Sequence, residues 1–346
     1  VKLKFWRADL RLAHTWTIAR GSTNTFPVIV VQLTDANGVV GFGEASPVER
    51  YKESVDMVET FLRRVDTRKI SFEDIPGSMT HLETFGPGNM AARCALNVAL
   101  LDGAAKLARK PLCNFLGLGF TENQHRTSFS IGIANPDEVR KKVLEAESFP
   151  ILKLKVGSTG DKANLAALRD VAPKKSIRFD ANEAWKTKEQ ALEMIEWLAS
   201  DGNVELIEQP MPANTSTKDL AWLKQRSPLP LFADESYHLA SDVARCTDCF
   251  HGVNVKLVKT GGVSGGLEAL RAARKAGLKT MIGCMIETSV LISAAAHLAE
   301  LCDFLDLDGN LLITNDPFKG VTAEKGALSF ASASEQFGLC VRAKKK

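Results

Sequence analysis

ILKLKVGSTGDKANLAALRDVAPKKSIRFD, residues 151–180, reads as a strand, a helix and a second strand. Ile151 to Val156 is a short apolar run broken only by lysines. Asp161 to Asp170 has helical composition and ends before Pro173, and Ser176 to Asp180 is extended again. A helical crossover of this kind returns the second strand parallel to the first. Along the first strand the side chains alternate, so Lys153 and Lys155 share one face while Leu152, Leu154 and Val156 point the other way, toward the helices.

Outward from this unit the rhythm repeats. Eight short apolar or β-branched runs can be counted, near Thr127 to Ile133, Ile151 to Val156, Ser176 to Asp180, Val204 to Glu208, Leu229 to Asp234, Val253 to Val258, Lys279 to Cys284 and Phe304 to Asp308. Between them lie helical stretches. Lys188 to Ala199 carries Leu192, Ile195 and Leu198 at helical spacing, and Gly265 to Ala276 stops at Gly277. Eight parallel βα units predict an α/β protein with a closed (β/α)8 TIM-like barrel, placed at residues 123–318.

Residues 1–122 have a different pattern. Val28 to Thr34, the turn Asp35-Ala36-Asn37-Gly38 and Val39 to Glu44 form a hairpin signature, and a helical run from Asn89 to Leu107 follows. This predicts an α+β domain ahead of the barrel. Ala323 to Val341 returns to short extended segments with no helix, so residues 319–346 are expected to pack back on the amino-terminal domain.

Composition narrows the function classes. The chain has 346 residues, long enough for a large core. Its 44 Lys and Arg against 41 Asp and Glu give +3, too balanced for a nucleic-acid footprint. Part of that excess is Lys344, Lys345 and Lys346, expected to form a frayed end. No run is long enough to span a bilayer and the first residues lack a signal-peptide core, so no membrane role and a cytoplasmic location are expected. Seven scattered cysteines do not form a disulfide framework. Cys246 and Cys249 make a C-x-x-C without the two further ligands a structural zinc needs, so they read as packing.

The charged residues give the barrel a chemistry. Lys155, Asp180, Glu208, Asp234 and Lys256 follow one another at steps of 25, 28, 26 and 22 residues, which puts them near the carboxyl ends of five successive strands. Barrel enzymes build their active sites on that face. One charged residue at a strand end is ordinarily a helix cap or a solvated rim group; complementary groups on five strands are a site. Three converging carboxylates with no His or Cys select a hard cation, Mg²⁺ or Mn²⁺. A lysine on either side of such an ion suits removal of a proton from a carbon beside a carboxylate, with the ion holding the charge that develops. To act as a base the lysine's pKa, ordinarily about 10.4, is expected to fall toward 7 or 8 through burial and neighbouring positive charge.

Lys153-Leu154-Lys155, Phe179-Asp180-Ala181-Asn182, Ile207-Glu208-Gln209-Pro210, Ala233-Asp234-Glu235-Ser236 and Val255-Lys256-Leu257-Val258-Lys259-Thr260-Gly261-Gly262 together resemble the enolase superfamily, muconate lactonizing enzyme subgroup. Gly41-Phe42-Gly43-Glu44 resembles the hairpin motif of that superfamily's capping domain. The resemblance implies one Mg²⁺ per subunit on Asp180, Glu208 and Asp234, with Lys155 and Lys256 as the acid/base pair on opposite faces and Lys153 at the substrate carboxylate. It also implies a homo-oligomer.

Asp306-Leu307-Asp308-Gly309 resembles the D-x-D motif of dipeptide epimerases, in which the two aspartates hold the substrate's α-ammonium. The implied reaction is a 1,1-proton transfer at the carboxyl-terminal α-carbon of a dipeptide, with L-Ala-D/L-Glu the leading choice. Arg20-Gly21-Ser22 and Glu49-Arg50-Tyr51 fall where capping-domain loops close over the mouth. Arg20 is the candidate to grip an acidic side chain, while Thr23 stands where other members carry arginine. An outward-facing Arg20 would leave small or hydrophobic side chains equally suitable.

Alternatives within the superfamily are a cycloisomerase or an o-succinylbenzoate synthase, for which the aspartate pair has no use. From another class, a non-catalytic barrel could bind an anion at Gly261-Gly262-Val263-Ser264-Gly265-Gly266; that stretch reads instead as a tight strand-to-helix turn. Glu287, after the seventh strand, is compatible with a place in the site or with a helix cap.

Overall fold

The structure, a computed structural model, describes residues 1–345. The amino-terminal part begins with an antiparallel sheet of β1 (Lys2–Ile18), β2 (Gly21–Thr34) and β3 (Val40–Ala45), followed by helices α1 (Val55–Arg63), α2 (Ile75–Glu83), α3 (Met90–Leu107) and α4 (Leu112–Phe115). Asp35 makes the turn between β2 and β3, its carboxylate accepting the N–H groups of Asn37 at 2.9 Å and Val39 at 2.7 Å. Gly41 and Gly43 let α3 lie directly on β3. A Cβ at Gly41 would sit 2.1 Å from the Ala99 carbonyl oxygen, far inside contact distance.

β1 was not among the expected strands. It pairs with β2 and alternates apolar and polar residues at Leu3 and Phe5 and again at Ala8, Leu10 and Leu12, but it has no continuous apolar run and only Leu10 is fully buried.

The barrel follows as β4 (Phe129–Ile131), α5 (Pro136–Glu145), β5 (Ile151–Lys155), α6 (Asp161–Val171), β6 (Ser176–Asp180), α7 (Lys188–Ala199), β7 (Val204–Glu208), α8 (Thr217–Arg226) and β8 (Leu231–Ala233). It continues through α9 (Val243–Cys249), β9 (Gly252–Lys256), α10 (Leu257–Thr260), α11 (Val263–Lys275), β10 (Lys279–Gly283), α12 (Ser289–Ala296) and β11 (Phe304–Asp306). The strands are parallel and neighbour one another in sequence order, and a bridge between Thr127 and Leu305 brings the last beside the first. Asn135, Thr187, Ser216 and Thr288 cap helices α5, α7, α8 and α12 with side-chain oxygens. The sixth apolar run is shorter as a strand than expected: β9 ends at Lys256, and Leu257 to Thr260 coil into a helical turn.

The chain closes with β12 (Phe318–Lys319), β13 (Thr322–Glu324), β14 (Ala327–Ser329) and β15 (Arg342–Ala343). This segment reaches the end of α3, where the Leu339 N–H donates to Asp102 at 2.8 Å, and Phe318 meets Phe42 edge-on at 5.2 Å. Lys344 is not frayed: its N–H donates to the Pro317 carbonyl at 2.9 Å. Lys346 lies outside the described residues. No helix among the described residues is long and apolar enough to cross a membrane.

Inside the barrel the side chains lie in layers. Leu206, Phe232, Met281 and Phe304 form an apolar floor, and the Arg178 guanidinium lies 5.1 Å from the Phe304 ring. Above it the register sets Lys155 beside Asp180, Asp180 beside Glu208, and both Lys256 and Asp306 beside Gly283. The charged strand ends therefore come to one level at the carboxyl-terminal mouth.

Candidate active site

A cavity of about 530 Å³ opens at that mouth, between the barrel and the loops of the amino-terminal sheet. Lys153, Lys155, Asp234, Lys256, Asp306 and Asp308 line its floor. β5 and β9 stand four places apart in the eight-stranded order, so Lys155 and Lys256 rise from opposite sides of the barrel. Trp16, Ile18, Phe26, Ile286 and Leu312 give the upper walls an apolar character, and Trp16 stacks over the Lys155 ammonium at 5.7 Å.

The floor is a network of buried charge. Lys153, 2% exposed, directs its ammonium to Asp306 at 2.6 Å, Glu208 at 2.7 Å and Asp180 at 3.1 Å. Lys155 meets Asp180 at 2.5 Å, and Lys256 meets Asp234 at 2.8 Å. Burial pushes the Glu208 carboxyl up to about 7, with Asp180 and Asp234 adding to the rise against Lys153. Asp234 stays well below the usual carboxylate range because Lys256 and Lys259 outweigh its burial. For Lys153 and Lys256 the expected depression is not what this network produces. Burial does disfavour the Lys256 ammonium, but Asp234 and Glu208 overcome it and hold the group well above its ordinary value. Lys153 is raised in the same way by Asp306, Glu208 and Asp180.

Among the described residues no three His, Cys, Asp or Glu side chains close into a ready ligand set, because ammonium groups stand between the carboxylates. The donor set nevertheless fits a hard cation. Asp180, Glu208 and Asp234 are buried carboxylates at or just past the ends of consecutive strands, and Glu208 Oε2 takes no hydrogen bond although Lys153 Nζ lies 2.7 Å away.

Asp306 and Asp308 both line the cavity but differ in their partners. Asp306 is engaged by Lys153 and by the Ser128 hydroxyl at 2.8 Å. Asp308 accepts the Ser130 N–H at 2.6 Å, and burial together with Asp306 pushes its carboxyl up to about 6. Arg20 stands at the mouth with its guanidinium held by Glu235 at 2.8 Å, the Asn182 carbonyl at 2.9 Å and Glu183 at 3.3 Å. Thr23 also lines the cavity, its hydroxyl donating to the Thr25 carbonyl at 2.6 Å.

Glu287 caps no helix. Its carboxylate accepts the Met285 N–H at 3.0 Å, and Thr288 caps α12. In the glycine turn Asn97 of α3 engages Ser264, accepting its N–H at 3.1 Å and donating to its hydroxyl at 2.8 Å, so that N–H is not available to an anion. Cys246 and Cys249 are free and buried.

Several residues of the site escaped the sequence reading. Lys259, wholly buried, donates to the Asp234 carboxylate and carbonyl at 2.6 Å each and to the Asn254 carbonyl at 3.0 Å. Asn254 in turn donates to Glu208 at 2.8 Å. The available signal for Lys259 was its place three residues after Lys256, one helical turn on; for Asn254 it was the strand's period of two. Glu183 and Glu235, which hold the arginines of the mouth, gave no such signal.

Comparison with known proteins matches residues 4–117 to the family model "Mandelate racemase / muconate lactonizing enzyme, N-terminal domain" and residues 137–321 to "Enolase C-terminal domain-like". The chain is 65% identical to an L-Ala-D/L-amino acid epimerase of Pedosphaera parvula, over 99% of this chain and all of that one. It is 41% identical to an L-Ala-D/L-Glu epimerase of Bacteroides thetaiotaomicron, over 95% of this chain and 85% of that one. Its structure superposes with a TM-score of 0.90, at 27% identity over 99% of this chain and 96% of the other, on a dipeptide epimerase from Cytophaga hutchinsonii complexed with Mg and the dipeptide D-Ala-L-Val.

Proposed function

The chain belongs to the mandelate racemase and muconate lactonizing enzyme family of the enolase superfamily, and from that membership we propose that it is an isomerase that epimerizes dipeptides at the α-carbon of the carboxyl-terminal residue. Similarity to epimerases named for L-Ala-D/L-amino acid and L-Ala-D/L-Glu substrates supports L-Ala dipeptides, L-Ala-D/L-Glu among them. The observation that carries the reading is the placement of Lys155 and Lys256 on opposite sides of one cavity.

In this mechanism the substrate's α-carbon lies between the two lysines. One lysine, as free amine, takes the proton from its face and the other, as ammonium, returns one to the opposite face; the roles exchange for the reverse direction. Lys153 faces the substrate carboxylate. Asp180, Glu208 and Asp234 would hold one Mg²⁺, which would supply positive charge opposite the negative charge that develops on the substrate carboxylate and would favour the uncharged amine of the lysines beside it.

The substrate's α-ammonium meets Asp308, the less engaged member of the aspartate pair, with Asp306 beside it. That contact is charge-assisted and worth about 1.5 to 3 kcal/mol in a sheltered site. The test compares L-Ala dipeptides with their N-acetyl forms. Acetylation should lower kcat/KM at least tenfold, and Asp308→Asn should remove most of the difference. Equal rates on free and acetylated substrates would rule out the ammonium anchor.

A further inference from the structure

The mouth of the cavity contains two arginines whose charge is already taken. Arg50 makes a two-pronged pair with Glu183, both bonds 2.7 Å, and has no other carboxylate partner among the described residues; Arg20 is shared between Glu235 and Glu183. Glu183 is 7% exposed and additionally accepts the Ala213 N–H at 2.8 Å. It belongs to the loop after β6, where Asn182 and Glu183 have φ of 43° and 68°. Two consecutive non-glycine residues in left-handed conformation are uncommon and strained, and persist where surrounding contacts fix them.

This loop forms the partition between two spaces. Arg20, Arg50 and Asn182 line the substrate cavity and also an outer cavity of about 440 Å³, and Glu183 stands on the outer side only. Each cation lining the substrate cavity, the three floor lysines and the two arginines, has a carboxylate within 3.3 Å among the described residues. An acidic substrate side chain would therefore find no uncommitted positive charge above the floor.

Building on the epimerase reading, we propose that Glu183 is a specificity-determining residue: by holding Arg50, and with Glu235 Arg20, it keeps guanidinium charge away from the substrate side chain and makes the site permissive. Uncharged and acidic carboxyl-terminal residues are then accepted on similar terms. Releasing Arg50 turns a permissive site into an acid-selective one.

L-Ala-L-Glu and L-Ala-L-Gln isolate this effect, because their side chains have nearly the same shape and differ in charge. On the full-length, Mg²⁺-loaded protein, kcat/KM for the two should agree within about threefold. Glu183→Gln should raise the Glu to Gln ratio about tenfold, the size of one charge-assisted contact. Adding Arg50→Gln to that variant should return the ratio to its starting value. Arg50→Gln alone should leave the ratio unchanged, and it reports on the same charge even if Glu183→Gln does not fold.

An unchanged ratio in Glu183→Gln with L-Ala-L-Gln still turned over, or a falling ratio in Arg50→Gln alone, would overturn the inference and leave the epimerase reading standing. No turnover of either dipeptide by the unaltered protein would bring down both.

Discussion

Replacing Gly262 by alanine tests how the amino-terminal domain is fastened to the barrel that carries the site. Gly262 has φ 118° and ψ −166°, a region open essentially to glycine alone. A Cβ there would lie 2.5 Å from Asn97 Oδ1. Backbone strain should cost about 1–3 kcal/mol. Displacing the buried Asn97 breaks its two hydrogen bonds to Ser264, at about 1 kcal/mol each. Gly262→Ala should therefore destabilise the protein by about 3–5 kcal/mol, read as a lower urea midpoint. The companion variant Asn97→Ala should cost about 2 kcal/mol, and the double variant should cost clearly less than the sum because the clash has gone. A loss below about 1 kcal/mol for Gly262→Ala, or strict additivity, would refute the reasoning.

Lys259→Met should weaken Mg²⁺ binding measured by calorimetry and lower kcat/KM by about 10- to 100-fold, since Asp234 loses the ammonium that fixes one of its oxygens. Removing one partner of a buried ion pair should also cost about 3 kcal/mol of stability. Chelation of divalent metal should abolish activity and Mg²⁺ or Mn²⁺ should restore it; saturating Mg²⁺ at about a hundred times its Kd should add about 2.7 kcal/mol of stability, an increment lost in Glu208→Gln. Glu44, buried against the Thr288 N–H at 3.0 Å, has its carboxyl pushed up from 4.5 to about 8 by burial, with Glu287 adding to the rise. Because its folded pKa lies above the unfolded one, its favourable contribution is complete below pH 4.5 and is lost as pH rises to about 8. Stability measured across that range should fall with pH, and Glu44→Gln should flatten part of the fall.

The barrel was legible because each strand is a short apolar run and six of the eight end in, or one residue before, a charged residue that an interior cannot hold without a purpose. The run from Ser176 to Asp180 and that from Val204 to Glu208 coincide with β6 and β7. The sixth run misled by its length, since Leu257 and Val258 are as apolar as the strand before them and nothing local marks where extension gives way to a helical turn. β1 was missed for a different reason: about half of its residues are only partly buried and Leu10 alone is fully buried, so no continuous apolar run marks it. Contacts across long stretches of chain, such as Arg20 with Glu235 and Arg50 with Glu183, were beyond reach, because periodicity locates a residue on its own element and says nothing of its partner.

Incubation of the Mg²⁺-loaded protein with L-Ala-L-Glu in D₂O, followed by mass spectrometry and chiral separation, tests the two-lysine account most directly. The unaltered protein should place deuterium at the α-carbon of the carboxyl-terminal residue alone and produce both epimers. Lys155→Ala and Lys256→Ala should each abolish interconversion, while either retains at most slow exchange of one epimer's own proton. Epimerization by either variant at the unaltered rate, or deuterium arriving at any other carbon, would contradict the placement of the reacting carbon between Lys155 and Lys256.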